Sequence, residues 1–503
     1  MNSVSVADSA APAALPAPVA EASIPNARHF VRSVFRFGIA QALSWIASIV
    51  LVVMLPRFLG DVSLGKLGFG LAITAIYGLI WDLGISTFLS KEIARTPGRA
   101  GELLANALAL RMVLALVAGV AVLGTLAING ADPTTRAVAL MLSVRMVLAA
   151  VGATIGGTLQ GLQQMRTLSI TSVVNNFTYA GAAAGALLAG GGVVWVAFAN
   201  MLGVLAADGV NMADLVRHVR WTRPSWTVCK YLVLGGLPFL VSQAALFVYG
   251  QIDTVMLSFM TRDAVVGWYV AAIRVMSVPQ VVPSILITVL FPAFAAGAHL
   301  PDRYNPIVRR AITLIVLINL PMAVGIGLMP DRIIHVLHYP AAFEHSIIPI
   351  VLLAAGIPLI ATDMVIFTAL NAGDRQKQLA MLGVAAALLN PILNLVAIPY
   401  TQAAFGNGAI GAAATTTLTE LFMLGVGLRM LRQGTLDRAT GTFALRCLLA
   451  ASLMAAVVMP LRSLPLLIPI AAGAIVYGAA SFAFRTLTMS EVRVVFHHLT
   501  RQS

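Results

Sequence analysis

The chain has 503 residues, 59% of them hydrophobic and only 10% charged, with a mean hydropathy of +0.92. A soluble globular domain of this length does not normally reach such values, so the composition describes an integral membrane protein and excludes a soluble enzyme or binding module. The formal net charge of +13 would suggest nucleic acid as the partner of a soluble protein, but its distribution along the chain accounts for it without a polyanion.

Residues 1–25 are rich in Ala, Pro and Ser, lack a positive start and carry Pro12, Pro16 and Pro18. They predict a disordered cytoplasmic N-terminal tail, 1–30, rather than a cleaved signal. A bilayer core about 30 Å thick needs roughly 20 apolar residues per helix. Cut at its charged and Pro/Gly clusters, the rest of the chain yields fourteen such segments: 34–56, 64–89, 102–128, 135–158, 167–189, 192–215, 231–259, 265–294, 306–329, 346–370, 378–399, 408–430, 442–460 and 463–484. The basic stretch 217–230 (RHVRWTRPSWTVCK) reads as a cytoplasmic linker between the sixth span and the seventh. The expected fold is an all-α polytopic membrane protein, with an N-lobe over 31–216 and a C-lobe over 231–432, six helices each. Two further helices and a cytoplasmic C-terminus occupy 433–503, and these last spans are nearly devoid of polar residues and read as lipid-facing.

Alternate loops carry nearly all of the Lys and Arg. With the N-terminus in the cytoplasm, Arg28, Arg32, Arg36, Lys91, Arg95, Arg99, Arg217, Arg220, Arg223, Arg303, Arg309 and Arg310 lie inside, while Arg57, Lys66, Arg136, Arg262, Arg332 and Arg462 face outward. This asymmetry follows the positive-inside rule, implies an even number of spans with both termini cytoplasmic, and removes any need for nucleic acid. Cys229 and Cys447 stand at helix edges and make neither a disulfide framework nor a metal set. His335 and His338, in the largest outward loop, are three residues apart with no Cys nearby and read as a solvated interface rather than a metal site.

The chain also repeats itself. Val53-Met54-Leu55 recurs as Val255-Met256-Leu257, and the same offset maps Asp61 onto Asp263, Gly65 onto Gly267 and Leu71 onto Ile273. A second, weaker match relates TLQGLQQM (158–165) to ALNAGDRQK (369–377). An offset this long, filled with membrane spans, predicts two parallel bundles related by a pseudo-two-fold axis rather than a soluble repeat array.

The runs LGDVSLGKLGFGLAITAI and WDLGISTFLSKEIAR, with QIDTVMLSF, VGWYVAAIRVMSVP, LLNPILNLVAIP and GAIGAAATTTLTEL in the second half, resemble polysaccharide flippases of the Wzx type. These belong to the superfamily that also holds multidrug antiporters and lipid II flippases. The resemblance covers roughly 30–430. It implies a bacterial inner-membrane protein that moves an undecaprenyl-diphosphate-linked oligosaccharide, an O-antigen or exopolysaccharide repeat unit, from the cytoplasmic to the periplasmic leaflet. Membrane lipids and polysaccharide polymerase machinery are the implied partners. Apart from Arg57, the early helices lack the arginine set typical of lipid II flippases, and the N-lobe carboxylate pattern of the drug antiporters is not matched.

At 1.5 Å per residue, Arg111, Arg145 and Arg274 fall about 14–15 Å into spans three, four and eight, near the midplane. A basic side chain there needs a buried acid or a wet cavity. Candidate acids are Asp82, Asp208, Asp253, Asp363 and Glu420. Asp253 and Arg274 are expected either to pair between helices seven and eight or to face the cleft. A guanidinium suits a diphosphate because it stays charged and can bind two oxygens at once. Arg274 is therefore the first candidate headgroup contact, with Asp253, Gln251, Gln41, Arg111 and Arg145 as further cavity residues. Gln243, Asn175, Asn176, Asn390 and Asn394 could bond sugar hydroxyls or neighbouring helices. Asp253 and Glu420 are candidates for ion coupling, and Gly84, Pro238, Pro279 and Pro391 for hinges.

No GxxxxGK[ST] motif occurs, so no nucleotide cofactor is expected, and no metal. The alternatives are a membrane polymerase or ligase of the same pathway, which would need outward-facing reactive residues, and a cation-coupled exporter of small hydrophobic amines. The outward loops are too short to favour the enzyme.

Overall fold

A computed structural model of the chain describes residues 27–128, 130–219, 222–297 and 300–487. The expected tail up to residue 26, and part of the expected linker, lie outside them. The described residues contain helices and no strand, as the bilayer requires of backbone polar groups that find no water.

Sixteen α-helices follow in order: α1 (Ala27–Asp82), α2 (Ile85–Arg95), α3 (Ala100–Ile128), α4 (Pro133–Gly161), α5 (Met165–Leu188), α6 (Val193–Leu215), α7 (Trp226–Met260), α8 (Asp263–Ser277), α9 (Val281–Gly297), α10 (Pro301–Leu328), α11 (Pro330–Val336), α12 (Ile347–Ala372), α13 (Gln376–Phe405), α14 (Gly408–Met430), α15 (Arg438–Leu461) and α16 (Leu467–Ala483). Each expected span falls on a helix. By length and apolarity alone, nine of the described helices could cross a membrane, or eleven if each of two bent pairs is one span. The remaining difference has local causes. The first two spans join into α1 across Gly60, the one residue there with non-helical angles. α16 is short, and α5 does not pass the test.

Helix breaks lie at or near Gly84, Pro238 and Pro279. At the end of α1, Leu83 and Gly84 both have positive φ (45° and 71°), which starts the short amphipathic α2. α7 bends by 50° between Trp226–Val241 and Gln243–Met260, about one turn beyond Pro238, and the α8–α9 pair bends by 45° across the segment that holds Pro279. Pro391 departs from expectation: α13 runs through it without interruption. The side chains on either side of it, Asn390 and Asn394, bond each other at 2.9 Å and brace that turn.

In the N-terminal half α1, α3, α4, α5 and α6 pack together; in the C-terminal half α7 packs on α13, and α10, α12, α13 and α14 form a second group. α15 and α16 pack on each other and on α10, leaving an apolar groove of about 470 Å³ that includes Pro321, Met454 and Tyr477. The halves meet mainly where α1 crosses α8 and where α1 and α2 meet α7.

Candidate functional site

Two glycine crossings join the halves, and the space between them is the candidate site. At one end, a Cβ on Gly65 would stand 1.9 Å from the carbonyl oxygen of Asp263, and a Cβ on Gly267 would stand 2.0 Å from the carbonyl oxygen of Asp61. These are the residues that the repeat maps onto one another, and such an exchange of partners is what a local two-fold produces. About 28 Å along α1, a second crossing has the same form: Cβ atoms on Gly84 and Gly236 would stand 2.3 Å from Gly236 O and 2.5 Å from Leu83 O. Only glycine allows backbones this close.

The first crossing is reinforced by side chains. Trp268 Nε1 donates to Asp61 Oδ2 (3.0 Å), and Lys66 donates to Asp132 (2.7 Å) while standing 4.0 Å from Asp263. The loop that holds His335 and His338, both exposed, is anchored over this end by its other residues. Tyr339 donates to Val52 O (2.6 Å), Ser346 donates to Trp268 O (2.9 Å), and His345 stacks on the Trp268 ring. Among the described residues no group of three or more His, Cys, Asp and Glu side chains is placed to hold a metal ion.

Between the crossings lies a cavity of about 380 Å³, walled by α1, α2, α4 and α7, with Trp81, Asp82, Ser86, Arg145 and Gln243 as its polar lining. Asp82 is held from behind. Arg111, fully buried, forms an ion pair with its Oδ1 and also donates to Ser86 Oγ (2.6 Å) and Thr154 Oγ1 (3.1 Å), with the Trp81 ring 5.3 Å from its guanidinium carbon. Arg111 thus has its acid, and the acid is Asp82 rather than Asp208. Asp208 packs against Gly152 with Oδ2 unpartnered.

Arg145 and Arg274 differ from Arg111. Neither forms an ion pair among the described residues, and the Nε of each, like that of Arg111, is buried without a partner. Arg274 does not pair with Asp253. Helix periodicity explains why: Gly267, Val270 and Arg274 share one face of α8, and that face meets α1, where a Cβ on Gly68 would stand 2.4 Å from Val270 Cγ2. Tyr269 lies on another face and takes the acid.

Asp253 is 7% exposed and accepts hydrogen bonds from Tyr269 (2.7 Å), Thr416 (2.6 Å) and Asn394 (2.6 Å). Asn394 in turn donates to Asn390 and accepts from Thr415. Glu420 accepts from Tyr249 (2.6 Å). Beside it on α12, Asp363 is 2% exposed and neither of its oxygens meets a donor. No cation from Lys, Arg or His pairs with these three acids among the described residues.

The expected amides are divided. Asn390 and Asn394 belong to the Asp253 shell, Asn175 donates to Asn176 (3.4 Å), and Gln243 lines the cavity while donating to Thr87 (2.8 Å). Gln251 is half-buried on α7. The side chain of Gln41 lies outside the described residues. Sequence reasoning missed Trp81, Ser86, Tyr249, Tyr269 and Thr416. Asp82 stands beside Trp81 and one turn from Ser86, and Asp253 and Glu420 stand one turn from Tyr249 and Thr416, but nothing in the sequence marks Tyr269.

Several solved structures share this fold. The lipid II flippase MurJ in an inward closed conformation superposes with a TM-score of 0.72 at 13% identity, over 90% of this chain and 99% of that one. An inward-facing multidrug resistance MATE family transporter of the MOP superfamily gives 0.60 at 17%, over 79% and 97%. A MOP superfamily transporter from Pyrococcus furiosus gives 0.54 at 17%, over 79% and 94%. No curated protein sequence matches. The multi-pass helical fold is therefore that of membrane transporters and flippases. A profile of polysaccharide biosynthesis proteins matches residues 30–297, more than half of the 503 residues, and the chain belongs to that family.

Proposed function

We propose that the protein is a flippase that carries undecaprenyl-diphosphate-linked polysaccharide repeat units from the cytoplasmic to the periplasmic leaflet of the bacterial inner membrane, with both termini in the cytoplasm. One observation carries this reading: Arg145 and Arg274, the two guanidiniums counted near the midplane, have no acid among the described residues. Bare cations at that depth are costly unless an anion visits them, and a diphosphate offers the bidentate acceptors a guanidinium fits. Cations in the cleft argue against a carrier of hydrophobic amines. The outward acids argue against a polymerase or ligase, since Asp61 is engaged by Trp268 and Asp132 by Lys66.

Transport then runs as rocking of two six-helix lobes, 31–216 and 231–432. The crossing at Gly84 and Gly236 parts to admit the headgroup from the cytoplasm, and the one at Gly65 and Gly267 parts to release it outside, with Gly84, Pro238 and Pro279 as the flexing points. Asp253 and Glu420 carry ion coupling in the C-lobe, with Asp363 as partner to Glu420. Arg111 holds Asp82 in place rather than meeting the cargo. The experiment is export in cells. Arg145→Gln and Arg274→Ala are each expected to lower surface polysaccharide by about tenfold or more, the value of a charged hydrogen bond, with lipid-linked units accumulating on the cytoplasmic leaflet. Normal surface polysaccharide from both variants at normal protein levels would sink the reading.

A further inference from the structure

Asp82 and Arg145 line the same cavity of about 380 Å³ without pairing. Arg111 and Ser86 engage Asp82 from the protein side, which leaves acceptor capacity on its carboxylate, while Arg145 keeps its charge uncompensated. A carboxylate and a guanidinium held apart in one cavity polarise it. An anion is drawn towards Arg145, and one placed against Asp82 meets that carboxylate ahead of the Arg111 charge behind it. What Asp82 accepts is hydrogen-bond donors.

The groups beside Asp82 suit one kind of donor. Trp81 contributes a flat ring, and its Nε1–H is buried with no acceptor. Gln243, reaching across from α7, spends one N–H on Thr87 and keeps its carbonyl and second N–H. A ring face, an acceptor-only carboxylate and an amide that both donates and accepts are the complement of a sugar, whose C–H face is apolar and whose rim is hydroxyl.

Resting on the flippase reading above, we infer that Trp81, Asp82 and Gln243 form a saccharide subsite for the sugar next to the diphosphate, and that Asp82 makes this position selective for a neutral sugar against a uronic acid. Arg145 holds the diphosphate and the Asp82 end holds the ring, so the headgroup has one orientation in the cavity.

The test is binding by the full-length protein in nanodiscs to three lipids: undecaprenyl diphosphate, the same lipid bearing one neutral hexose, and the same lipid bearing one hexuronic acid. The wild type is expected to prefer the hexose lipid over the hexuronate lipid by roughly tenfold. Trp81→Phe and Gln243→Ala are expected to weaken the hexose lipid by roughly 3- to 10-fold and the bare diphosphate by less than about 2-fold. Asp82→Asn is expected to erase the discrimination against hexuronate. Because that variant also removes the counter-charge of Arg111, Trp81→Phe and Gln243→Ala decide the matter if it does not assemble. Equal losses on the bare and sugar-bearing lipids, or no discrimination by the wild type, overturn the subsite while leaving the flippase reading intact. A folded wild type that binds none of the three lipids overturns the flippase reading, and the subsite with it.

Discussion

In the N-terminal half, the half-buried carboxylate Asp82 faces a guanidinium, Arg111, and one hydroxyl, Ser86, while in the C-terminal half Asp253 faces a phenol, a hydroxyl and an amide and, among the described residues, no cation. Both acids are partnered, yet only the first has a counter-charge beside it. An ion pair fixes its two members, because removing either leaves a bare charge in a poor dielectric. A carboxylate held only by neutral donors keeps its net charge and can exchange a proton or a small cation as its surroundings change. The difference assigns rigidity to the half that walls the cavity and responsiveness to the half that would sense an ion gradient.

The contrast can be broken most forcefully at Arg111. Arg111→Ala strips the half-buried Asp82 of its counter-charge and should cost about 3–5 kcal/mol of stability, while the double variant Arg111→Met with Asp82→Leu should recover most of it; unfolding in detergent measures both. Asp253→Asn is the matching change on the other side. It strands one or two donors and no charge, so a loss of about 1–3 kcal/mol is expected, together with export that no longer responds to the proton or sodium gradient. A loss as large as that of Arg111→Ala would show that the two acids are alike after all.

Gly267→Ala tests how the halves are joined. A Cβ 2.0 Å from Asp61 O must push α1 from α8, at about 1–3 kcal/mol. A cysteine placed at Ala149 in the cavity wall should then react faster with an impermeant thiol reagent applied from the Lys66 end.

The smallest effect is expected at Asp132, outside the spans. Burial pushes its carboxyl up, but hydrogen bonds from Lys66 and Thr135, the Lys66 charge and the Thr134 amide outweigh it and lower the value to about 2. A lowered carboxyl stabilises above its unfolded value and loses that contribution as pH falls through the folded one. The thermal-stability gap between wild type and Lys66→Met should therefore be constant above about pH 4 and close towards pH 2. Because the pair is partly exposed, the gap should stay below about 1 kcal/mol.

Much of the fold was legible because helices in lipid are long and apolar and the loops are charged. The repeat was legible too, and Gly65 and Gly267 proved to meet across the halves as well as to correspond in sequence. The partners of buried charges were harder to read. Depth along a helix follows from counting, but azimuth requires knowing which face meets which neighbour. Asp253 and Arg274 lie at compatible depths, yet the stripe through Gly267 and Val270 carries Arg274 to α1. Arg111 reaches Asp82 rather than Asp208 although counting places both acids nearer the inner edge, a difference that a long guanidinium side chain spans. Pro391 failed as a hinge because a proline inside a well-packed helix need not break it.

The stretch of α1 between Gly60 and Leu83 lies between two left-handed backbone residues and carries one crossing near each end. A stiff rod pivoted in this way behaves as a seesaw: the tilt that lifts Gly65 from Asp263 presses Gly84 towards Gly236. Electrical insulation of the membrane would then be built into the geometry of one helix, so that a bulky hydrophilic cargo could pass without an open path for protons and the potential across the bilayer would survive each crossing.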